Sequence, residues 1–177
     1  MNIYSVYFGD CLLCARLLSY LTPCKPTILM KFGYHLNNQT MTKEIWLNLS
    51  VKDIPQTIAF FTKIGFKLNE HAPKSDSMAS FKIGQKDFIV NFFTEAVFKS
   101  FTPFQIADLT DATECLISID AENREDVDNI LKKAAEAGGN VFAAGGEKDG
   151  WMYGGGFIDL DGHKWNVLFM DFSKFPK

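Results

Sequence analysis

Phe157-Ile-Asp-Leu-Asp-Gly-His-Lys-Trp165 places an Asp161-Gly162 turn between two apolar runs, a strong hairpin signal. It predicts strands at Gly155–Leu160 and Lys164–Met170, joined by that turn. Working upstream, Asn140–Ala143 reads as another strand, preceded by Gly138-Gly139. Before those glycines, Val127, Ile130, Leu131 and Ala134 recur at helical spacing behind Asn123, a good N-cap. Earlier still, Cys115, Ile117 and Ile119 alternate with Glu114, Leu116 and Ser118, the period of a strand. The second half of the chain therefore reads strand, helix, three strands.

The first half follows the same plan. Leu47, Leu49 and Val51 alternate with Trp46, Asn48 and Ser50, predicting a strand. Asp53-Ile-Pro55 then opens a helix, Asp53 as cap and Pro55 in the first turn. Its apolar face is Ile54, Ile58, Phe61 and Ile64, and Gly65 ends it. Strands are predicted at Met78–Ile83 and Phe88–Thr94, with a short one around Phe66–Asn69. The two strand-then-helix units lie about 70 residues apart, an offset that signals duplicated architecture. The reading is an α+β fold of two tandem βαβββ modules, module one over 43–95 and module two over 113–171, within a domain spanning 41–174. Residues 96–112 are the linker.

Composition sets outer limits. The chain has 177 residues, 47% hydrophobic and 22% charged, typical of a folded protein and too apolar for a disordered one. A net charge of −3 argues against binding nucleic acid, which needs clustered Lys and Arg. No run reaches the roughly 18 apolar residues that span a bilayer. Residues 1–40 hold Arg16, Lys25 and Lys31 against Asp10, so the acidic excess lies beyond them. They also hold Cys11, Cys14 and Cys24, and Pro23 and Pro26 break any helix there. They read as an extension outside the domain, upstream of a start at Met41. Cys115 alone in the main body fits a reducing, cytoplasmic setting.

With this duplication, the chain resembles the vicinal-oxygen-chelate superfamily, which includes glyoxalase I, bleomycin-resistance proteins and extradiol dioxygenases. The nearest likeness is to its "predicted lactoylglutathione lyase" branch. The residues that carry it are Leu47-Asn-Leu-Ser-Val-Lys-Asp53, Phe60-Phe-Thr-Lys-Ile-Gly-Phe66, Thr94–Thr102, Thr113-Glu-Cys-Leu116, Met152-Tyr153, Phe157–Trp165 and Met170-Asp171. The resemblance implies an open, cupped mixed sheet around a small-molecule site, often completed by a homodimer.

It also implies where a divalent ion sits in metal-dependent relatives. The four ligand positions fall on Trp46, Asn91, Glu114 and Asn166. Strand alternation independently puts Trp46, Asn48 and Glu114 on the faces opposite Leu47, Leu49, Cys115 and Ile117. Only Glu114 is a strong ligand; Asn91 and Asn166 are weak neutral donors and Trp46 is none. One carboxylate does not replace the hydration of Zn²⁺ or Ni²⁺, so no metal and no other cofactor is expected.

Glu114 is the residue singled out for chemistry. In a cup lined by Trp46, Phe93, Leu116 and Met170 it would be partly desolvated, with a raised pKa suited to a general base. The alternative is a structural carboxylate held by Asn48, Asn91, Asn166 or Ser118. His163 is out of phase with Lys164, Asn166 and Leu168, and reads as a turn residue capping a carbonyl or packing on a neighbour. His71, in a polar loop with Lys74, Ser75 and Asp76, reads as solvated. The glycines from Gly145 to Gly156 lack any phosphate-loop signature and suggest a mobile loop whose Trp151, Met152 and Tyr153 form a lid or pack on an edge.

Two functions stay open. In one, the cup binds a small apolar or aromatic molecule without chemistry, using Trp46, Asn48, Asn91, Phe93, Leu116, Asn166, Met170, Trp151 and Tyr153. In the other, a glyoxalase-like lyase or isomerase abstracts a proton next to a carbonyl, with Glu114 as base. The 17 Phe residues fit either a dense core or an apolar pocket, and Phe93 is assigned to the cup.

Overall fold

Alternation over Leu47–Val51 produces strand β1 (Trp46–Val51), with Leu49 and Val51 buried and Trp46 and Asn48 exposed. The computed structural model describes residues 42–73 and 75–175. The readings of residues 1–40 as an extension and of the start at Met41 lie outside the described residues.

Helix α1 (Ile54–Ile64) begins where expected, because the Asp53 carboxylate accepts the Gln56 N–H at 2.8 Å. It stops at Gly65, whose φ of 108° closes the last turn in the left-handed region. Strands β2 (Lys67–Leu68), β3 (Met78–Ile83) and β4 (Phe88–Thr94) complete the first module. The sheet order is β1-β4-β3-β2, with β1 parallel to β4 and the other pairs antiparallel.

The second module repeats this arrangement. Strand β5 (Leu116–Asp120) precedes helix α3 (Arg124–Glu136), which Asn123 caps by accepting the Asp126 N–H at 2.9 Å. Strands β6 (Asn140–Lys148), β7 (Met152–Ile158) and β8 (Lys164–Met170) follow. The order is β5-β8-β7-β6, with β5 parallel to β8. At the outer edge, the β6–β7 register shifts twice, between Val141 and Ala143 and between Ala143 and Gly146.

Three expectations need correction. The linker is not featureless, since it carries helix α2 (Glu95–Phe101). β5 starts at Leu116, leaving Glu114 in the bend ahead of it. The glycine stretch is a paired hairpin and not a mobile loop: Gly146 faces Gly154 and Lys148 faces Met152. The glycines serve close packing there. A Cβ on Gly155 would sit 2.6 Å from Leu131 Cδ1 of α3 and 2.7 Å from the Ala143 carbonyl oxygen. Only hydrogen fits in that gap.

One aromatic core joins the modules. The α1 residue Phe61 lies 4.6 Å from Phe92 and 5.7 Å from Phe81 of its own sheet, ring centre to ring centre. It also lies 5.3 Å from Trp165 of β8. Trp165 in turn stacks on Phe157 with the rings 2° from parallel, and Phe157 lies 6.1 Å from Phe60. All five phenylalanines and Trp165 are buried. These five account for part of the phenylalanine excess, while Phe88, Phe101, Phe104, Phe142, Phe172 and Phe175 are exposed.

Truncating this junction is expected to cost what a buried aromatic normally contributes. Phe61→Ala should lose about 3–5 kcal/mol in urea unfolding. The exposed Phe104→Ala should stay within about 0.5 kcal/mol of the parent.

Candidate functional site

The sheet faces turned away from the core carry most of the residues predicted for the cup. In module one, Asn48 and Asn91 are register partners, and Asn91 Nδ2 donates to Asn48 Oδ1 at 3.0 Å. Trp46, two residues earlier on the same face, is 60% exposed. Phe93 shares this face and meets Phe101 of α2 edge-on, with centroids 5.1 Å apart. Its contact with a helix that the sequence did not announce keeps it half-buried.

In module two, Ser118 is opposite Asn166, Leu116 is opposite Lys164, and Met170 is opposite Met152. Leu116 is 51% exposed, and Asn166 and Met170 are intermediate. The first sheet thus exposes Trp46 on this face, and the second exposes Leu116 and Phe142 beside Ser118, Asn166 and Lys164.

Three residues depart from their predicted setting. Glu114 is exposed, and among the described residues no hydrogen bond or ion pair ties it to Asn48, Asn91, Asn166 or Ser118. The desolvated carboxylate expected from face counting is not what the bend before β5 provides. Tyr153 is turned to the helix side, where its hydroxyl donates to the Asp128 carboxylate of α3 at 3.1 Å. Strand alternation explains this, because the neighbours Met152 and Gly154 take the other face. Trp151 lies in the β6–β7 turn and packs edge-on against Phe175, 4.6 Å between centroids. That is the edge-packing alternative to a lid.

The sequence reading passed over a buried polar network in the β7–β8 connection. Asp159 and His163 are 7% and 3% exposed. Asp159 Oδ1 accepts the backbone N–H groups of Asp161 and His163, each at 3.0 Å. Asp159 Oδ2 lies 2.9 Å from His163 Nδ1 and accepts the Trp165 indole N–H at 3.1 Å. A single carboxylate thus shapes the turn, orients the imidazole and anchors the core tryptophan. The signal was present in Asp159-Leu-Asp-Gly-His163, but periodicity assigns both residues to a turn and is silent about burial. His163 bonds a carboxylate, where a backbone carbonyl or a packing partner was expected. His71 is exposed, as predicted.

Beside this network lies a cleft of about 600 Å³, bounded by Ser50–Lys52 at the end of β1, by α2, by residues 105–110 and by the β7–β8 turn. Trp46, Asn48, Asn91, Glu114 and Asn166 are not among its lining residues. The cavity and the predicted cup are different places.

The donors at the four metal-ligand positions do not fit a divalent ion. Trp46 offers no lone pair, Asn91 and Asn166 offer only neutral amide oxygens, and Glu114 supplies the one carboxylate, from a bend ahead of its strand. Among the described residues, no three His, Cys, Asp or Glu side chains come together as a metal-binding group. No helix among them is long and apolar enough to cross a membrane.

Comparison with known proteins agrees with this architecture. The sequence profile of the Glyoxalase/Bleomycin resistance protein/Dioxygenase superfamily matches residues 44–167. Among solved structures, a hypothetical protein from S. aureus is 32% identical, covering 76% of this chain and 98% of that one, with a TM-score of 0.65. A glyoxalase-related enzyme from Fulvimarina pelagi is 12% identical over 73% of this chain and 88% of its own, with a TM-score of 0.62. A glyoxalase/bleomycin resistance protein/dioxygenase family enzyme from Burkholderia phytofirmans PsJN is 19% identical, covering 71% and 96%, with a TM-score of 0.60. The last two share the fold. No curated protein matches the chain.

The buried imidazole makes stability depend on pH. Burial opposes protonation of His163, but its bond to Asp159 and the charges of Asp159, Asp161 and Glu114 outweigh burial and hold its pKa above the usual imidazole value. The protonated form is favoured in the folded state. Its stabilisation is therefore complete below the unfolded imidazole pKa of about 6.5 and fades as pH rises through the higher folded value. Urea midpoints of the parent should fall from pH 6 to pH 8, and His163→Gln should flatten that slope. An equal slope in both would contradict the assignment.

Proposed function

The chain belongs to the glyoxalase/bleomycin resistance protein/dioxygenase superfamily, and from that premise we propose that it binds a small apolar or aromatic molecule on the face bearing Trp46, without using a metal. The observation that carries this reading is the exposure of Trp46 on a sheet face where Asn48 and Asn91 are hydrogen-bonded to each other and Lys82, in the same row, is paired with Asp87. A broad indole surface beside amides suits stacking of a planar ligand, with the amides setting its orientation. Leu116 and Met170 extend the same chemistry on the second sheet, where the ammonium of Lys164, opposite Leu116, is engaged by the carbonyls of Leu109 and Ala112.

The rival reading, proton abstraction beside a carbonyl by Glu114, asks more of the site. A general base works best with a pKa near the working pH and within reach of the substrate proton. An exposed carboxylate in the bend before β5 lacks the enclosed setting that such a base would use. Glu114 is better suited to shaping the field near Cys115, whose thiol is pushed up by burial and by the Glu114 charge. That thiol stays protonated and poorly nucleophilic.

A fluorescence titration with the neutral planar probe N-phenyl-1-naphthylamine tests the proposal. Trp46→Ala should weaken binding by about tenfold, the loss of one aromatic contact, and Glu114→Gln should leave it unchanged. Unaltered binding in Trp46→Ala would remove the proposal. Stoichiometric bound metal, together with turnover of the methylglyoxal–glutathione adduct that Glu114→Gln abolishes, would establish the lyase instead.

A further inference from the structure

The cleft beside the β7–β8 turn is not a passive hollow, because a buried histidine opens onto it. His163 is 3% exposed and lines the cleft. Its Nδ1 is taken by Asp159, and Nε2 has no partner among the described residues. Among the described residues, no fully enclosed side-chain nitrogen or oxygen lacks a partner. Nε2 therefore reaches the cleft.

The carboxylate behind the ring decides what Nε2 can do. Asp159 is a hydrogen-bond acceptor, so in the neutral imidazole the proton stays on Nδ1 and Nε2 presents a lone pair. A ligand meeting it must donate. The surrounding charge narrows the class further. Glu95, Asp108, Asp159 and Asp161 line the cleft against Lys52 and Lys99. Lys99 is 3.7 Å from Glu95, and the charge of Lys52 is felt by both Asp108 and Asp161, so both ammoniums are offset. Lys164, beside His163, has its ammonium engaged by the carbonyl oxygens of Leu109 and Ala112. The remaining excess is negative. The carboxylates are dispersed around the walls, and no three of them gather with a histidine or cysteine as metal ligands. Such a distribution suits an organic cation with several contact points better than a bare ion.

We propose that this cleft is a second binding site, separate from the Trp46 face, and that it takes a small molecule with a protonated amine whose N–H donates to His163 Nε2 while Asp161 and Asp108 balance its charge. Other groups around His163 act in the same direction: Glu114, ahead of β5, adds to the negative field at the ring. Occupancy is linked to the histidine proton. When His163 is protonated, Nε2 becomes a donor carrying positive charge, and the ammonium is both unpaired and repelled. Amine binding and protonation of His163 are mutually exclusive, so by linkage each weakens the other.

The test is an NMR titration of the whole chain with n-hexylamine, n-hexanol and sodium hexanoate, following the His163 imidazole resonances. Hexylamine should shift them saturably and bind at least about threefold more tightly at pH 8 than at pH 6, because the competing proton is gone. Hexanol and hexanoate should bind more weakly at both. Asp161→Asn keeps an oxygen for the Lys52 N–H, which Asp161 Oδ1 accepts at 2.9 Å, but removes the charge, so it should weaken hexylamine severalfold. Trp46→Ala should change nothing, which separates this site from the other. Preferential binding of hexanoate, or hexylamine binding indifferent to both pH and Asp161→Asn, would overturn the proposal even if His163→Gln proved unable to fold.

Discussion

The contact of Phe61 with Trp165 is the constraint on which the rest of the molecule depends. A βαβββ module of about 50 residues has one apolar sheet face and one amphipathic helix, too little to bury a full core alone. By setting a helix-α1 aromatic against a β8 aromatic, the chain makes each half part of the other's interior. Two sheets with no ladder between them then behave as one folded unit. Trp165 is held from the other side by the Asp159 carboxylate, so the hydrophobic junction and the buried polar network meet in one side chain. Displacing that indole would disturb both the packing of α1 and the shape of the β7–β8 turn.

Much of this was legible in the sequence because it follows local rules. β1, α1, β3, β4 and β8 lie where alternation, helical spacing and the Asp53 and Gly65 caps put them. What escaped depended on distant partners. Helix α2 is only seven residues long, so Val97, Phe98 and Phe101 span too little chain for a helical period to stand out. β6 runs to Lys148 because β7 pairs with it and Leu131 closes over Gly155, and a glycine run viewed in isolation signals only flexibility. The burial of Asp159 and His163 escaped for the same reason. Polar residues around an Asp-Gly turn are ordinarily solvated, and only the fold reveals that these two are enclosed.

The predicted site residues divide along a similar line. Asn48 and Asn91 come together because register is a local consequence of pairing β1 with β4. Tyr153 went to the opposite face because the ladder pairs it with Phe169, a core-side residue of β8. Glu114 was counted as part of a strand that begins two residues later, and losing strand status cost it the enclosed setting that its proposed role requires. Superfamily membership is carried by the backbone plan and by short turn motifs. The chemistry rests on a handful of inward side chains, and these are free to change while the plan persists.

The register shifts in β6 bear on how the molecule stays apart from its neighbours. A nine-residue strand at the margin of a sheet offers a row of unpaired amide and carbonyl groups to any extended peptide that drifts alongside. Two interruptions within that row break the even spacing that a incoming strand would need, and the bends they introduce turn the ribbon out of plane. At the far margin of the other sheet, β2 achieves the same end by brevity, with only two residues to offer. β6 and β2 are thus poor templates for growth, one interrupted and the other cut short by backbone geometry.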